Sequence, residues 1–217
     1  MHHRQVLVMI DLDNTLADRH AAVDAWLQAF SATHQLDAPT RAWIASLDED
    51  GYASRFDVFD QIRSRLELRT PTAQLVADYR QRVVAHTHET PGASRCLKRL
   101  RSAGHRLAIV SNGAGSQQRA KIAHLGFGPL VDAVIISGDI GIKKPDPEIF
   151  HLAAQRAGAS LDDACMIGDS PMHDIEGGYA VGVTTIWLRR SRTWSADHGR
   201  SPDHAIDTLY EVASLLT

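Results

Sequence analysis

Two aspartates, Asp11 and Asp13, follow five apolar residues in the stretch VLVMIDLDNTL at positions 6–16. Five apolar residues in a row describe a strand buried on both faces. A carboxylate at the edge of so dry a core is costly unless a metal, a partner or a reaction accounts for it. A carboxylate is also a competent nucleophile toward phosphorus, forming an aspartyl phosphate. An acid two residues further on lies on the same side of an extended chain. From there it can protonate a leaving oxygen and later deprotonate a water.

Three further segments carry matching chemistry. Ser111-Asn112-Gly113 offers a hydroxyl and an amide, Lys143-Lys144-Pro145-Asp146 an ammonium, and Gly168-Asp169-Ser170 a second carboxylate with Asp174 close behind. Asp11 and Asp169, if brought together, repel one another unless a hard cation sits between them, and a Mg²⁺ site with few carboxylates and several waters fits. Ammonium and hydroxyl supply the charge and hydrogen bonds that dominate phosphoryl transfer. Singly, each segment has a plainer reading as a cap, a turn or solvated surface, and Asp146 reads best as a helix N-cap. Jointly, at one sheet edge, the plain readings lose their force.

The elements that must position these groups are legible as alternation. Residues 6–10, 106–110, 133–136, 164–167 and 184–188 read as short strands, and helical patterns over 94–103, 116–125 and 147–157 separate the later ones, with a turn of helix near 174–180. Strands alternating with helices predict a parallel α/β sheet covered on both faces, with ligands outside the carboxyl ends of the strands. Gly104 and Gly158 stand where helices should stop, and Pro147 follows its N-cap. Between residues 16 and 90 no strand is convincing. Helical patterns over 21–34, 40–47, 54–66 and 72–88 carry apolar residues at three- and four-residue spacing, Trp26, Phe30, Phe59, Ile62, Tyr79 and Val83 among them. So long a helical stretch reads as a subdomain inserted above the carboxyl end of the first strand. Trp26 and Trp43 read as its core, with a pocket-lining role for one of them as the alternative.

Composition narrows the field. The chain has 217 residues, 44% of them apolar and 23% charged, with a net charge of −3, which gives no basic field for nucleic acid or acidic membrane. Cys96 and Cys165 lie outside any CxxC spacing, so neither a disulfide framework nor a zinc knuckle is expected, and Cys165 reads as a small buried hydrophobe. The 12 histidines are scattered and read as background. No stretch reaches the roughly 18 apolar residues of a membrane span, and residues 1–5 lack the apolar run of a signal peptide. A cytoplasmic protein, monomeric or homodimeric, is expected.

Four ordered stretches, DLDNTL at 11–16, IVSNG at 109–113, KKPDPEIF at 143–150 and IGDSPMHD at 167–174, resemble the motifs of the haloacid dehalogenase-like (HAD) hydrolases. The resemblance covers about residues 5–16 and 90–217. It implies a Rossmann-like core over 1–17 and 89–217 and a C1-type helical cap over 18–88 that closes as a lid. It implies Asp11 as nucleophile and metal ligand, and Asp13 as general acid/base and backbone-carbonyl metal ligand. Ser111, Asn112 and Gly113 fall at the phosphate-binding motif, with Ser111 as phosphate ligand. Lys144, directly before the proline, clamps nucleophile and phosphate in preference to Lys143. Asp169 ligates Mg²⁺, and Asp174 supports the metal waters or the lysine. Dehalogenases of similar fold lack the second acid, because halide leaves without a proton, so Asp13 points to phosphate esters.

The resemblance implies hydrolysis of a small phosphorylated metabolite: a nucleotide, FMN, phosphoglycolate or a sugar phosphate. The alternatives are a sugar phosphomutase, which also keeps the second acid, and a silent binding or regulatory protein, which would have lost a motif residue where this chain has kept them all. The polar break at 47–56 is either a specificity loop or an ordinary helix connection. Its DxDG beginning does not make a calcium loop, since position 12 counted from Asp48 is Phe59. Tyr52, Arg55, Arg189 and Arg190 are further candidates for contact with a base or second anion, each with a structural or solvated role as the plainer reading.

Overall fold

The computed structural model describes residues 5–216; residues 1–4, read above for the absence of a signal peptide, lie outside that range. Each apolar run expected as a strand forms one: β1 Leu7–Ile10, β2 Arg106–Ser111, β3 Ala133–Ile136, β4 Cys165–Gly168 and β5 Thr184–Leu188. A sixth strand, β6 His204–Ile206, pairs with β5. Its three residues are exposed, half-buried and buried in turn, too short and too polar to stand out as a run. All pairings are parallel, in the order β3-β2-β1-β4-β5-β6.

Strand side chains alternate between faces, and in β1 both faces are dry. Val8 and Ile10 join Leu107, Ile109, Cys165 and Ile167 in one cluster, while Leu7 and Met9 join Ala108, Val110 and Met166 in another. The first cluster is covered by α5 Ala93–Ser102, α6 Gly115–His124 and α10 Val212–Leu215. The second is covered chiefly by α8 Pro147–Ala157, which starts at the N-cap Asp146 and stops at Gly158 in the left-handed conformation. Single turns at α7 Ser137–Ile140 and α9 Gly177–Ala180 complete this unit. Because the connections run one way from β1 to β2 and β3 and the other way to β4, β5 and β6, the order reverses between β1 and β4. Their carboxyl ends frame the crevice where doubly wound sheets bind ligands.

The chain divides into two compact units, one ending at Asp18 and resuming at His88, the other running Arg19–Thr87. The second is wholly helical: α1 Arg19–Thr33, α2 Ala38–Ser46, α3 Arg55–Arg65 and α4 Thr72–His86. Asp37 and Ser54 cap α2 and α3 by accepting from Thr40 N and Asp57 N. Trp26 lies at its centre, edge-on to Tyr79 at 4.8 Å and to Phe59 at 5.5 Å, and Trp43 packs partly buried against the same cluster. The break at 48–52 is tied to the bundle: Asp48 accepts from Arg19 at 2.6 Å and from Arg55 at 2.7 Å. Arg55 is therefore engaged within the helical unit, while Tyr52 is exposed.

Candidate active site

β1 delivers the first carboxylate. The Asp11 amide donates to Ile167 O at 2.9 Å, continuing the β1–β4 ladder one residue beyond the strand. The chain then folds back: Leu16 N and Ala17 N both donate to Leu12 O, at 2.9 and 2.8 Å, and Asn14 adopts φ 61°. Leu12 is buried in the core, so its neighbours Asp11 and Asp13 turn the other way.

β2 ends in Ser111, fully buried, and Asn112 follows. Asn112 Nδ2 donates to Lys144 O at 3.0 Å, and Lys144 N donates to Asn112 Oδ1 at 2.9 Å. This two-point clasp, with His173 Nδ1 3.0 Å from the same carbonyl, fixes the backbone from which the lysine extends. Gly113 is exposed, and its N–H donates to Ser137 Oγ at 3.0 Å. Its own place is explained by φ 141° and by Gln118, which a Cβ at Gly113 would meet at 3.0 Å.

Lys144 is 1% exposed, whereas Lys143 points to solvent. The Lys144 ammonium donates to Asp11 Oδ1 at 2.6 Å and to Asp174 Oδ1 at 2.7 Å. β4 supplies Asp169, and a wide turn over Pro171–Glu176 brings Asp174 back beneath it, where Asp174 Oδ2 accepts from Ser170 N at 2.9 Å. Gly168 permits that return: a Cβ there would lie 2.1 Å from the Asp174 carboxylate. Asp11, Asp169 and Asp174 consequently hold carboxylate oxygens within 4.8 Å of one another, all three buried.

The clustering of these carboxylates with one ammonium shifts the protonation of Asp11 and of Lys144. Burial pushes the Asp11 carboxyl well above the usual range, Lys144 opposes this, and Asp174 and Asp169 add to it. Burial alone would lower Lys144, but Asp11 and Asp174 outweigh it and hold the ammonium above its ordinary value. The donor set is oxygen only, anionic and in excess over its local counter-charge, which fits a hard divalent cation rather than a thiolate- or imidazole-seeking metal.

Of the residues singled out from sequence, Lys144 meets Asp11 and Asp174 directly, Asp169 holds its carboxylate within 4.8 Å of theirs, and Ser111 and Asp13 are joined through Gln118. Gln118 Nε2 donates to Ser111 Oγ at 2.8 Å and to Asp13 Oδ2 at 2.9 Å. Arg189 pairs instead with Asp207 at 2.9 Å, and Arg190 donates to Asn14 O and to Asp18, each at 2.8 Å. Residues that the motifs did not single out complete the surroundings. Lys121, on α6, donates to both Asp13 oxygens at 2.6 and 2.8 Å. Arg192 donates to Asp169 Oδ2 at 2.9 Å and to its carbonyl at 2.7 Å, and Trp187 Nε1 donates to that carbonyl at 2.9 Å. Gln118 and Lys121 lie on a helix expected from the sequence, but nothing local marks which of its polar residues turn inward. Arg192 lies in a loop without periodicity.

The chain is similar to known proteins in both sequence and fold. The family model for haloacid dehalogenase-like hydrolases matches residues 6–182. A glyceraldehyde 3-phosphate phosphatase of Pyrococcus abyssi is 32% identical over 84% of this chain and 81% of its own. A ribulose-1,5-bisphosphate 5-phosphatase of Halopiger xanaduensis is 30% identical over 97% of this chain and 98% of its own. In fold, the HAD-hydrolase YfnB of Bacillus subtilis superposes with a TM-score of 0.83 over 99% of both chains at 24% identity. With a family match that spans most of its length, the chain belongs to the haloacid dehalogenase-like hydrolases.

Proposed function

We propose that the protein is a Mg²⁺-dependent phosphomonoester hydrolase acting on a small phosphorylated metabolite through an aspartyl phosphate on Asp11. The observation that carries this reading is the buried Lys144 ammonium, 2.6 Å from Asp11 and 2.7 Å from Asp174 beside Asp169. It offers compensation for phosphoryl charge where a nucleophilic carboxylate lies at the sheet's switch point. Asp13 supplies the second acid that an ester, unlike a halide, requires. Relatives named for glyceraldehyde 3-phosphate and ribulose 1,5-bisphosphate support a small phosphate ester as substrate.

In this reading Asp11 forms a bond to phosphorus as the bond to the leaving oxygen breaks, and Asp13 gives that oxygen its proton. A water then attacks phosphorus, Asp13 takes the water's proton, and the bond to Asp11 breaks to release inorganic phosphate. Ser111 and Lys144 hold phosphoryl oxygens through both steps. Asp11, Asp169 and the Asp13 carbonyl would hold Mg²⁺, with Asp174 in support; bound there, the ion supplies positive charge to the phosphoryl group. The two free thiols, both buried, suit a reducing cytoplasmic setting.

The test is release of phosphate, with and without Mg²⁺, from p-nitrophenyl phosphate and a panel of nucleotides, FMN, phosphoglycolate, phosphoserine and triose and pentose phosphates. Turnover that needs Mg²⁺ and falls by on the order of a thousandfold or more in Asp11→Asn is expected. Absence of turnover across the panel by folded protein would overturn the phosphatase reading. Turnover retained in Asp11→Asn would remove the nucleophile, and conversion of glucose 1-phosphate to the 6-phosphate without net phosphate release would show a mutase instead.

A further inference from the structure

We infer that Lys121 and Gln118 are positioning residues for the acid Asp13, so that the speed of the reaction on poor leaving groups depends on a clamp carried by helix α6. This rests on the reading of Asp13 as general acid and extends it to residues outside the four motifs.

Lys121 is 2% exposed, and burying an ammonium is costly unless it is paired. An apolar residue would fill this position on a core-facing helix at lower cost, as Ile122 does next to it. The charge is directed instead at Asp13, reaching Oδ1 at 2.6 Å and Oδ2 at 2.8 Å. Gln118, three residues earlier on the same helix face, reaches Asp13 Oδ2 at 2.9 Å. With both oxygens held, the carboxylate has little freedom to rotate about its last bond, although its side chain is still 22% exposed.

The same amide nitrogen of Gln118 donates to Ser111 Oγ at 2.8 Å. One side chain therefore sets the acid relative to a proposed phosphoryl ligand, and Gly113 leaves the space that admits it. α6 begins four residues after β2 ends, so strand, turn and helix form a short connection from the sheet to the clamp. Proton transfer requires the acid within hydrogen-bond reach of the leaving oxygen. Of the two proton transfers assigned to Asp13, only the first depends on the ester: the proton moves from Asp13 to the leaving oxygen as the phosphorus–oxygen bond breaks, whereas the later transfer from water is common to every substrate. Attack by Asp11 on phosphorus does not draw on the clamp.

Leaving groups separate this role from a structural one. An alkoxide leaves poorly without a proton, whereas p-nitrophenolate is stable as the anion. The experiment compares kcat and KM of wild type, Lys121→Met, Lys121→Arg and Gln118→Leu on an alkyl phosphate and on p-nitrophenyl phosphate, each alone and combined with Asp13→Asn. Lys121→Met is expected to lower kcat/KM, which reports the steps up to loss of the leaving group, by about a hundredfold on the alkyl ester and by about tenfold less on the aryl ester. Lys121→Arg should recover part of the loss. In the Asp13→Asn background the Lys121 and Gln118 changes should produce no further leaving-group discrimination. Equal losses of kcat/KM on both esters, no loss on either, or a discrimination that persists without Asp13 would each overturn the inference. If Lys121→Met fails to fold, Lys121→Arg and Gln118→Leu carry the same comparison. Failure of the wild-type protein to release phosphate from either ester is a different result, since it removes the phosphatase reading itself.

Discussion

The ammonium of Lys144 lies 2.6 Å from the carboxylate of Asp11, across 133 positions of sequence. Each of the pair is buried, and each is held by backbone. Asp11 is held through its ladder bond to Ile167, and Lys144 through the Asn112 clasp. A flexible lysine would lose much rotamer freedom on reaching a substrate; here that cost is met during folding.

Because Lys144 stands between Asp11 and Asp174, its removal leaves buried carboxylates facing one another. Lys144→Met should destabilise the metal-free protein by about 3–5 kcal/mol. Denaturant unfolding at pH 7 and pH 5 checks this, and the loss should narrow at the lower pH as the carboxyls take up protons.

Asp11 carries the opposite sign. Its folded carboxyl lies above the usual range because of burial, with Asp174 and Asp169 adding to the shift. The unfolded chain therefore gives up that proton more readily, and stability is lost as pH rises from the unfolded value through the folded one. In a chelator, Asp11→Asn should be more stable than wild type at pH 8 and no more stable near pH 3. Thermal melts across that range are the measurement, and an unchanged difference would sink the idea.

A divalent cation should reverse that penalty. Mg²⁺ at a hundred times its dissociation constant should raise wild-type stability by about 2.7 kcal/mol. Asp169→Asn should lose most of the gain. Melting temperature against Mg²⁺ concentration, with the chelator as zero point, reads this without any assay of turnover.

Within the helical unit, Asp48 accepts from Arg19 and Arg55. Burial pushes its carboxyl up, but the two guanidinium groups outweigh burial and hold it below the usual range. Its contribution is present above the unfolded value and is lost as pH falls through the lowered folded one. Asp48→Asn should cost about 1.5–3 kcal/mol at pH 7, with the difference from wild type fading in strong acid. Amide exchange of α1 and α3 would locate the loss.

The two thiols should be silent. Burial pushes both Cys96 and Cys165 up to about 12. Alkylation of native protein at pH 8 should leave both unmodified, and unfolding in guanidinium should expose both. Rapid labelling of either in folded protein would contradict the buried placement.

Five of the six strands were legible because a strand buried on both faces must be apolar throughout, which β1 and β4 show plainly. β6 was not, since a three-residue edge strand with one face in solvent needs no such run. Among the site residues, Asp11, Asp13, Ser111, Asp169 and Asp174 each sit within a short local pattern just beyond or at a strand end, and Lys144 within the KKPDP pattern that leads into α8. Lys121 and Gln118 belong to a helix whose sequence reads as ordinary amphipathic surface, and Arg192 to a loop without periodicity. A local pattern shows that a polar side chain is present, but not which distant carboxylate it will meet.

The sequence alone determined the parallel α/β class, the strand ends that carry chemistry and the family. Those follow from local periodicity and from short motifs within single segments. Only the tertiary structure decided that Asn112 would clasp Lys144, that Gln118 would reach Asp13, and that Arg192 would meet Asp169. Each of these pairings joins segments whose separation along the chain carries no information about distance in space. They are settled by the order of strands in the sheet, which sets the carboxyl ends of separate strands side by side.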